Sequence, residues 1–403
     1  MTKKDLLAIV IFLLAAVCFQ PRRIDAKSLV DPDPLLDEAL GYAAVYNYEK
    51  AQHICDRILS ITEDPAIQAR AHWIKAVAFA KFQLEYRTNE LSEKLEREKG
   101  YIRKLDPSLL RERLYHFEVV QRFHKTVESD VEGILKQAVS EFEKEQIPEA
   151  DRHYKIGQSF LAAASIAGEK AKEYYRQSAD HMSKAHKLAP ENYEYAAYCL
   201  TALARADRLT EAVEVGKELT KKYKAAPRFS MESDPWYLYA AAVGLTDIME
   251  ARRIALERSG SPDADAGIFF YVTQSDVRAA KTPEEKAGIW REFIRKMENG
   301  QIPRKGYNLR FLVSAYYKLG HFESRAKRPE KSLEAYRKLS EYSPHYAGIH
   351  YNQGVVLEML SGKETDPEKK TSLMEQSRKQ FELQKKYNWH GTMKQSADAR
   401  RLK

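Results

Sequence analysis

The chain of 403 residues is poor in glycine, proline and cysteine, with 17, 15 and 3 of each. Runs in which Val, Ile and Thr alternate with polar residues are also missing, and their absence argues against a sizeable β-sheet. Leu, Ala, Glu, Lys, Arg and Gln dominate instead, and these residues lose little side-chain freedom in a helix. The composition therefore predicts an all-α chain.

The cysteines are too few and too far apart for a disulfide framework. Cys55 and Cys199 each lie inside an apolar stretch with helical periodicity. A cysteine in such a place usually behaves as a small buried apolar residue. We therefore expect both to be buried free thiols.

The sequence also lacks the short motifs that bind metals, nucleotides or acyl substrates. Neither C-x-x-C nor H-E-x-x-H occurs, and G-x-G-x-x-G, G-x-x-x-x-G-K-[ST] and G-x-S-x-G are absent as well. His181 and His186 are five positions apart, which places them about 140° apart around a helix and on different faces. The helical pattern runs almost to the end of the chain and leaves no room for a catalytic domain. We expect no metal, no cofactor and no enzymatic activity.

Positive charge is in mild excess, since 66 Lys and Arg residues stand against 58 Asp and Glu residues. The two signs alternate along most of the chain, as in SEKLEREKGYIRK at 92–104. A nucleic-acid interface would need basic clusters on one face with aromatic residues between them. We interpret the charges as a solvated helical surface and expect no nucleic-acid partner.

One long apolar run stands at the start of the chain. The basic start MTKKD precedes LLAIVIFLLAAVCF at 6–19, and the polar stretch QPRRIDA follows. A helix of this length spans about 21 Å, short of the ~30 Å hydrocarbon core of a bilayer. The pattern is typical of a secretory signal peptide at 1–26, cleaved after Ala26.

Two alternatives remain open for this segment. One is a retained membrane anchor through 6–19, and the other is a lipid on Cys18, although Val17 stands where a small residue is usual. Cleavage after Ala26 would remove four basic and two acidic residues and lower the formal charge from +8 to +6. We expect an exported protein, periplasmic or secreted, that contacts a membrane only through its N-terminus.

Eight of the prolines recur at intervals of 35 to 42 residues: Pro65, Pro107, Pro148, Pro190, Pro227, Pro262, Pro303 and Pro344. Because proline cannot continue a helix, regular prolines mark regular helix ends. A period near 40 residues in an all-α chain is typical of stacked helical hairpins. Residues 191–227, for example, divide at ADRLT into two amphipathic helices, neither of which can bury its apolar stripe alone.

These hairpins resemble tetratricopeptide repeats, in which a small residue in each helix is accompanied by an aromatic residue and a proline ends the unit. The matching residues are Gly157, Phe160, Met182, Ala185 and Pro190; Ala212 and Leu219; Tyr316, Gly320, Tyr336 and Pro344; and Gly354 and Phe381. Ser332 stands where Ala is usual, and the units at 66–148 and 228–303 are degenerate. The resemblance implies an all-α, right-handed superhelical solenoid of stacked antiparallel helix hairpins.

We divide the chain into a signal peptide at 1–26, N-terminal repeats at 27–148, central repeats at 149–262 and C-terminal repeats at 263–403. Within the N-terminal part, the high charge of 84–146 predicts a long helix, which could equally be an insertion. In the C-terminal part, HFESRAKRPEK at 321–331 predicts a long turn between two helices.

The resemblance implies that the first helix of each hairpin lines a concave groove. Tyrosine and arginine are frequent interface hot spots because they offer a large contact area and a polar tip. The groove residues predicted by position are Tyr198, Arg205, Tyr307, Arg310, Phe311, Tyr317, Tyr351 and Asn352. They favour a non-enzymatic scaffold that binds a peptide or a protein partner. The alternative is a cell-envelope protein that binds a solute or glycan, with Trp236, Tyr237 and Tyr239 as its aromatic cluster.

Overall fold

The computed structural model describes residues 32–86, 88–111, 113–123, 128–304 and 306–387, and the regular structure in these ranges is helical throughout. In chain order the α-helices are α1 Pro32–Ala44, α2 Tyr48–Ile61, α3 Pro65–Tyr86, α4 Ser92–Leu105, α5 Leu114–Phe123, α6 Val131–Lys144, α7 Glu149–Ala164, α8 Ala171–Leu188, α9 Tyr193–Arg205, α10 Leu209–Lys222, α11 Pro235–Val243, α12 Ile248–Ser259, α13 Ala266–Ala279, α14 Pro283–Glu298, α15 Leu309–Arg325, α16 Pro329–Tyr342, α17 Ala347–Lys363 and α18 Pro367–Tyr387. Short 3-10 turns lie at Pro107–Leu110, Glu128–Asp130, Gly168–Lys170 and Gly306–Asn308. The predicted signal peptide at 1–26 lies outside the described residues. None of the helices described is long and apolar enough to cross a membrane.

Consecutive helices of the described chain pair into nine helical hairpins, from α1–α2 to α17–α18. Each of the eight periodic prolines lies at a boundary between two hairpins; Pro65 opens α3, for instance, and Pro344 separates α16 from α17. The segments at 66–148 and 228–303, whose sequence is degenerate, contain hairpins as well. The prediction of an all-α solenoid of stacked helix hairpins is therefore confirmed.

Three hairpins share a packing element made of a glycine in the first helix and a serine in the second. A Cβ atom added to Gly320 would lie 2.6 Å from Cε1 of Tyr336, so only glycine lets the two helices approach this closely. Ser332, one turn before that ring, donates a 2.7 Å hydrogen bond to the Gly320 carbonyl oxygen. The same element occurs with Gly157, Ser178 and Met182, and with Gly354, Ser377 and Phe381. The small residue of the second helix is thus a serine because its hydroxyl bonds to the facing backbone.

Two details of the sequence prediction were wrong. Residues 84–146 do not form one long helix, because Asp106 ends α4 and accepts a 3.1 Å bond from the Ser108 amide in the turn that follows. Arg113 then adopts a φ of 58°, which redirects the chain into α5. The turn predicted at 321–331 is short, since α15 continues to Arg325 and α16 starts at Pro329. High charge indicated exposure in both places and carried no information about where the helices end.

The two ends of the solenoid meet, because α1 packs against α15 and the Gly306–Asn308 turn. Ser343 donates a 2.7 Å bond to the Val45 carbonyl oxygen, and the Asn47 amide group donates a 3.0 Å bond to the Tyr342 carbonyl oxygen. One apolar core is shared by α1–α5 and α13–α17. Odd-numbered helices contact one another from hairpin to hairpin, as α1 contacts α3 and α13 contacts α15. They form the inner layer, which the contact between α1 and α15 closes.

Cys55 and Cys199 are free and buried, with 0% and 1% of their surface exposed, which confirms the expectation for both. Burial raises the pKa of the Cys199 thiol to about 11 and also raises that of Cys55. Because the thiolate is the reactive form, both side chains serve packing in the folded chain.

Candidate binding cleft

An irregular segment at 226–234 joins α10 to α11 and runs along the inner layer; we call it the crossing segment. Arg228 forms ion pairs with Asp33 and Asp37 of α1, far from it in sequence. Met231 is 4% exposed and belongs to the apolar core that the two ends of the solenoid share. The crossing segment is therefore packed into the closed solenoid.

The end of the crossing segment bonds to three further parts of the inner layer. Glu232 forms an ion pair with Arg113, which precedes α5. The Ser233 carbonyl oxygen accepts a 2.5 Å bond from the Tyr193 hydroxyl, and the Ser233 hydroxyl accepts a 2.5 Å bond from the Arg310 guanidinium. The inner surface that the repeat pattern assigned to a partner is thus partly occupied by the chain itself.

Four of the predicted groove residues lie close together around Arg113. Its guanidinium donates to the Tyr198 hydroxyl, and the Arg310 guanidinium stacks 3.9 Å from the ring centre of Tyr307 and 4.5 Å from that of Phe311. Burial works against the Arg113 charge, yet Tyr198, Glu232 and Tyr307 together hold its pKa above the ordinary value. Tyr198 and Phe311 are only 8% and 5% exposed. Both side chains are therefore closed to a partner in this conformation.

The other four predicted residues lie apart from this group. Arg205 is exposed in the last turn of α9, and Asn352 is half-buried on α17. Tyr317 and Tyr351 meet other aromatic rings edge-on, with ring centres 6.2 Å from Tyr336 and 6.0 Å from a ring of α18. A direct role of the eight residues in binding stays a prediction.

Ionisable groups near the centre have pKa values displaced towards neutrality. The Lys81 ammonium donates to the Ala44 carbonyl oxygen, and burial together with the charges of Arg113 and Arg310 lowers its pKa to about 7. Burial also raises the pKa of Glu194 to about 7, although the nearby Arg113 charge opposes the shift. The shifts of both groups favour their neutral forms.

A cleft of about 680 Å³ lies beside the crossing segment. Its walls are α1, the crossing segment, the Gly306–Asn308 turn and Tyr342. Carboxylates outnumber guanidinium groups in its lining by six to two, namely Asp33, Asp37, Glu38, Glu232, Asp234 and Asp265 against Arg228 and Arg304. The cleft is therefore acidic, although the chain as a whole carries a formal charge of +8. Within the described part of the chain, no group of three or more His, Cys, Asp or Glu side chains is placed to hold a metal ion.

Two carboxylates at helix starts form the inner wall of the cleft. Asp234 is 3% exposed; its Oδ1 caps α11 by accepting a 2.9 Å bond from the Trp236 amide, and its Oδ2 has no hydrogen-bond partner among the described residues. Asp265 caps α13 through the Gly267 amide at 2.7 Å and also accepts a 2.5 Å bond from Asn308. Burial, and then the charge of Asp265, raise the pKa of Asp234 to about 7. Asp234 Oδ2 thus lacks a close hydrogen-bond partner, while the Tyr237 amide and the Arg258 charge oppose the rise in the pKa of this carboxyl group.

The sequence reasoning missed this acidic cleft. Its carboxylates come from α1, the crossing segment and the start of α13, which are far apart in sequence. The only local pattern is an aspartate directly before α11 and another directly before α13. An aspartate in this position predicts an N-terminal cap and gives no information about a ligand.

The aromatic cluster of the alternative function does not form an open platform. Tyr237 packs inside the solenoid, with its ring centre 5.8 Å from that of Phe311 and 6.3 Å from that of Tyr271. Trp236 is covered by the Arg258 guanidinium, 5.4 Å from its ring centre. The geometry therefore does not favour glycan stacking at these rings.

Comparisons with known proteins give no family, since no protein-family model and no curated protein matches the chain. Among solved structures, the chain is similar to the Cut9–Hcn1 hetero-tetramer of APC/C, with 10% identity and a TM-score of 0.39 over 87% of this chain and 68% of that one. It is also similar to Naa15/Naa10 bound to HypK-THB, with 12% identity and a TM-score of 0.24 over 90% of this chain and 64% of that one. A third similarity is to the TPR domain of P58(IPK), with 10% identity and a TM-score of 0.28 over 88% and 98% of the two chains. At these identities and TM-scores we base nothing on them, and the hairpin fold rests on the packing described above.

Proposed function

We propose that the protein is an exported, non-enzymatic interaction scaffold that binds a segment of a protein partner in the cleft beside the crossing segment. The observation that carries the proposal is the cleft itself, which opens on the inner layer of the solenoid and has a volume of about 680 Å³. Stacked hairpins form extended concave surfaces of the kind that repeat proteins use for binding. A cleft of this size holds a few residues of a peptide.

The proposed contact surface differs from the groove that the sequence predicted. Tyr307 lines the cleft, and Arg310 stacks on its ring. Arg304 and Tyr342 stand at the rim, where they share a 3.4 Å hydrogen bond. Tyr198 lies behind the crossing segment, so we assign it to holding Arg113 and assign binding to the residues of the rim.

Export is part of the proposal and is supported by the apolar run at 6–19 with its basic start and polar end. Expression in a bacterial host followed by fractionation and intact-mass measurement tests it. We expect a mature chain that begins at Lys27 in the envelope or secreted fraction. An uncleaved chain in the cytoplasmic fraction would contradict export and leave the binding proposal standing.

A photo-crosslinking amino acid at the cleft tests the binding function. We would place it at Arg304, which is exposed at the rim, and as a matched control at Glu214, which is exposed on α10 outside the cleft. We expect one defined protein adduct from position 304 and none from position 214. The captured partner is then purified, and its affinity for the wild type is compared with that for Tyr307→Ala, which should bind at least about tenfold more weakly because an aromatic hot spot is removed. Adducts from position 214 alone, or an unchanged affinity, would refute the cleft as the binding site.

A further inference from the structure

We infer that the cleft selects a partner segment that carries a lysine or arginine side chain, whose cationic head is bound by the Asp234 carboxylate. This inference rests on the proposed function and adds the chemistry of the residue that is recognised.

The charges of the cleft are only partly balanced from within the described chain. Arg228 pairs with Asp33 and Asp37, so one guanidinium serves two carboxylates. Glu232 pairs with Arg113. Asp234, Asp265 and Glu38 have no ion pair among the described residues, in a cleft whose lining carries more carboxylates than guanidinium groups.

The uncompensated charge is concentrated at the inner wall. The Tyr193 hydroxyl lies in this negative field. Burial, and then the charges of Asp234, Glu232 and Asp265, raise its pKa above the ordinary range. Asp234 and Asp265 therefore act on this phenol together with Glu232, whose own charge is paired with Arg113. An ionised carboxylate held away from water is costly unless a cation or hydrogen bonds compensate it.

Asp234 is the group that a ligand would compensate. Asp234 lines the cleft and is only 3% exposed. Its Oδ2 accepts no hydrogen bond from the described residues. Each carboxylate oxygen of Asp265, by contrast, accepts one hydrogen bond, from the Gly267 amide and from the Asn308 side chain. A single unused carboxylate oxygen in an acidic cleft fits one N–H donor of an ammonium or guanidinium group.

The same count of acceptors argues against a divalent metal ion. Calcium takes about six to eight oxygen ligands, and magnesium needs near-octahedral geometry. Of the two carboxylates at the inner wall, only Asp234 has an unused oxygen. A side-chain cation needs far fewer acceptors, because the field of the surrounding carboxylates supplies the rest of the attraction.

The test uses the chain from residue 27 onwards and three fluorescein-labelled peptides in one Gly-Ser frame, with arginine, lysine or citrulline at the centre. Citrulline has the shape of arginine and no charge. Binding is measured by fluorescence polarisation. We expect the arginine and lysine peptides to bind at least about tenfold more tightly than the citrulline peptide, as a charge-assisted hydrogen bond implies.

Two variants locate the effect. Asp234→Asn keeps an oxygen that can cap α11, because asparagine is as good an N-cap as aspartate, and its fold is checked by thermal melting. We expect it to lose about tenfold in affinity for the arginine peptide and nothing for the citrulline peptide. Glu214→Gln removes one exposed negative charge outside the cleft and should leave all affinities unchanged.

The pH profile gives an independent readout. The charged and titratable groups that face Asp234 are Asp265, Arg258, Tyr193 and Glu232. Burial and Asp265 raise the pKa of Asp234 to about 7, so its carboxylate becomes fully ionised only above neutrality. The affinity for the arginine peptide should therefore rise more steeply between about pH 6 and pH 8 in the wild type than in Asp234→Asn.

Several results would overturn the inference. Equal binding of the citrulline peptide would show that charge is not read, and an unchanged affinity of Asp234→Asn would show that this carboxylate is not the receptor. Spermidine that binds while the arginine and lysine peptides do not, or calcium or magnesium that displaces the arginine peptide at equimolar concentration, would assign the cleft to another cation. If position 304 crosslinks a partner whose affinity is insensitive to Asp234→Asn, the proposed function stands and this inference falls. If the arginine and lysine peptides bind in preference to the citrulline peptide but position 304 crosslinks no partner, the recognition of a cation stands and the proposed scaffold function falls.

Discussion

Replacing Gly320 by alanine tests the close approach of α15 and α16. An added Cβ would lie 2.6, 2.7 and 2.9 Å from three carbon atoms of the Tyr336 ring. That ring is 2% exposed and is held on all sides by the core that the two ends of the solenoid share. The ring cannot swing away into solvent, so the two helices have to separate.

The magnitude follows from two opposing effects. Overpacking a buried site costs about 1–3 kcal/mol, and replacing a helical glycine by alanine gains about 1 kcal/mol of helix propensity. We expect Gly320→Ala to lower the free energy of unfolding by up to about 2 kcal/mol. Gly288 in α14 is the matched control, because a Cβ added there meets nothing within 4 Å. Gly288→Ala should therefore raise the free energy of unfolding by about 0.5–1 kcal/mol.

Urea unfolding followed by circular dichroism measures both variants, and hydrogen exchange of α15 and α16 shows whether the loss is local. The combination with Tyr336→Leu completes a double-mutant cycle. Leucine removes the ring atoms that meet the new Cβ, so Gly320→Ala should cost less in that background by about 1–2 kcal/mol. Equal effects of alanine at 320 and 288, or a coupling energy near zero, would refute the packing argument.

Three further predictions concern closure, the central lysine and the thiols. Asn47 and Asn192 both cap a helix, and of the two only Asn47 also bonds to the Tyr342 carbonyl. In urea unfolding, Asn47→Ala should therefore lower the free energy of unfolding by about 1 kcal/mol more than Asn192→Ala. Equal losses would contradict this. Burial lowers the pKa of Lys81 to about 7, so between about pH 7 and pH 10 this side chain binds fewer protons in the folded than in the unfolded chain. The free energy of unfolding should therefore rise with pH more in the wild type than in Lys81→Met. Thermal melts at several pH values measure this, and parallel profiles would contradict the lowered pKa. In the chain from residue 27 onwards, Cys55 and Cys199 should react with a thiol reagent only after unfolding in urea, and rapid reaction of the native chain would contradict their burial.

The hairpin architecture was predictable from the sequence because its signals are local. A proline at a helix boundary acts through its own ring, and a glycine opposite a large side chain such as Tyr336 acts within one hairpin. The position of Ser332 was also visible, but its hydrogen bond to the Gly320 carbonyl was not, because that contact depends on how closely the two helices approach. The sequence therefore predicted the repeat and missed the reason for one of its residues.

The candidate site was less predictable because it is assembled from distant segments. Repeat position predicted Tyr307 and Arg310 as groove residues, and the structure brings the Arg310 guanidinium onto the Tyr307 ring. The sequence of a single repeat does not indicate that the crossing segment packs along the inner layer. It also does not indicate that the Ser233 hydroxyl accepts a hydrogen bond from the Arg310 guanidinium. Pairing across such distances depends on the closure of the whole solenoid and has no period in the sequence.

Closure and binding at the cleft are thermodynamically linked. The cleft is walled on one side by α1 and on the other by the Gly306–Asn308 turn, and these are the elements whose contact closes the inner layer. A ligand that touches both walls binds the closed solenoid better than an open one, so it stabilises closure by its differential affinity. Reciprocally, a variant that loosens closure, such as Asn47→Ala, should weaken ligand binding without removing any residue of the cleft. The acidic lining adds to this linkage, because Asp265 comes close to the two aspartates of α1 only when the ends meet, and a bound cation lowers their mutual repulsion.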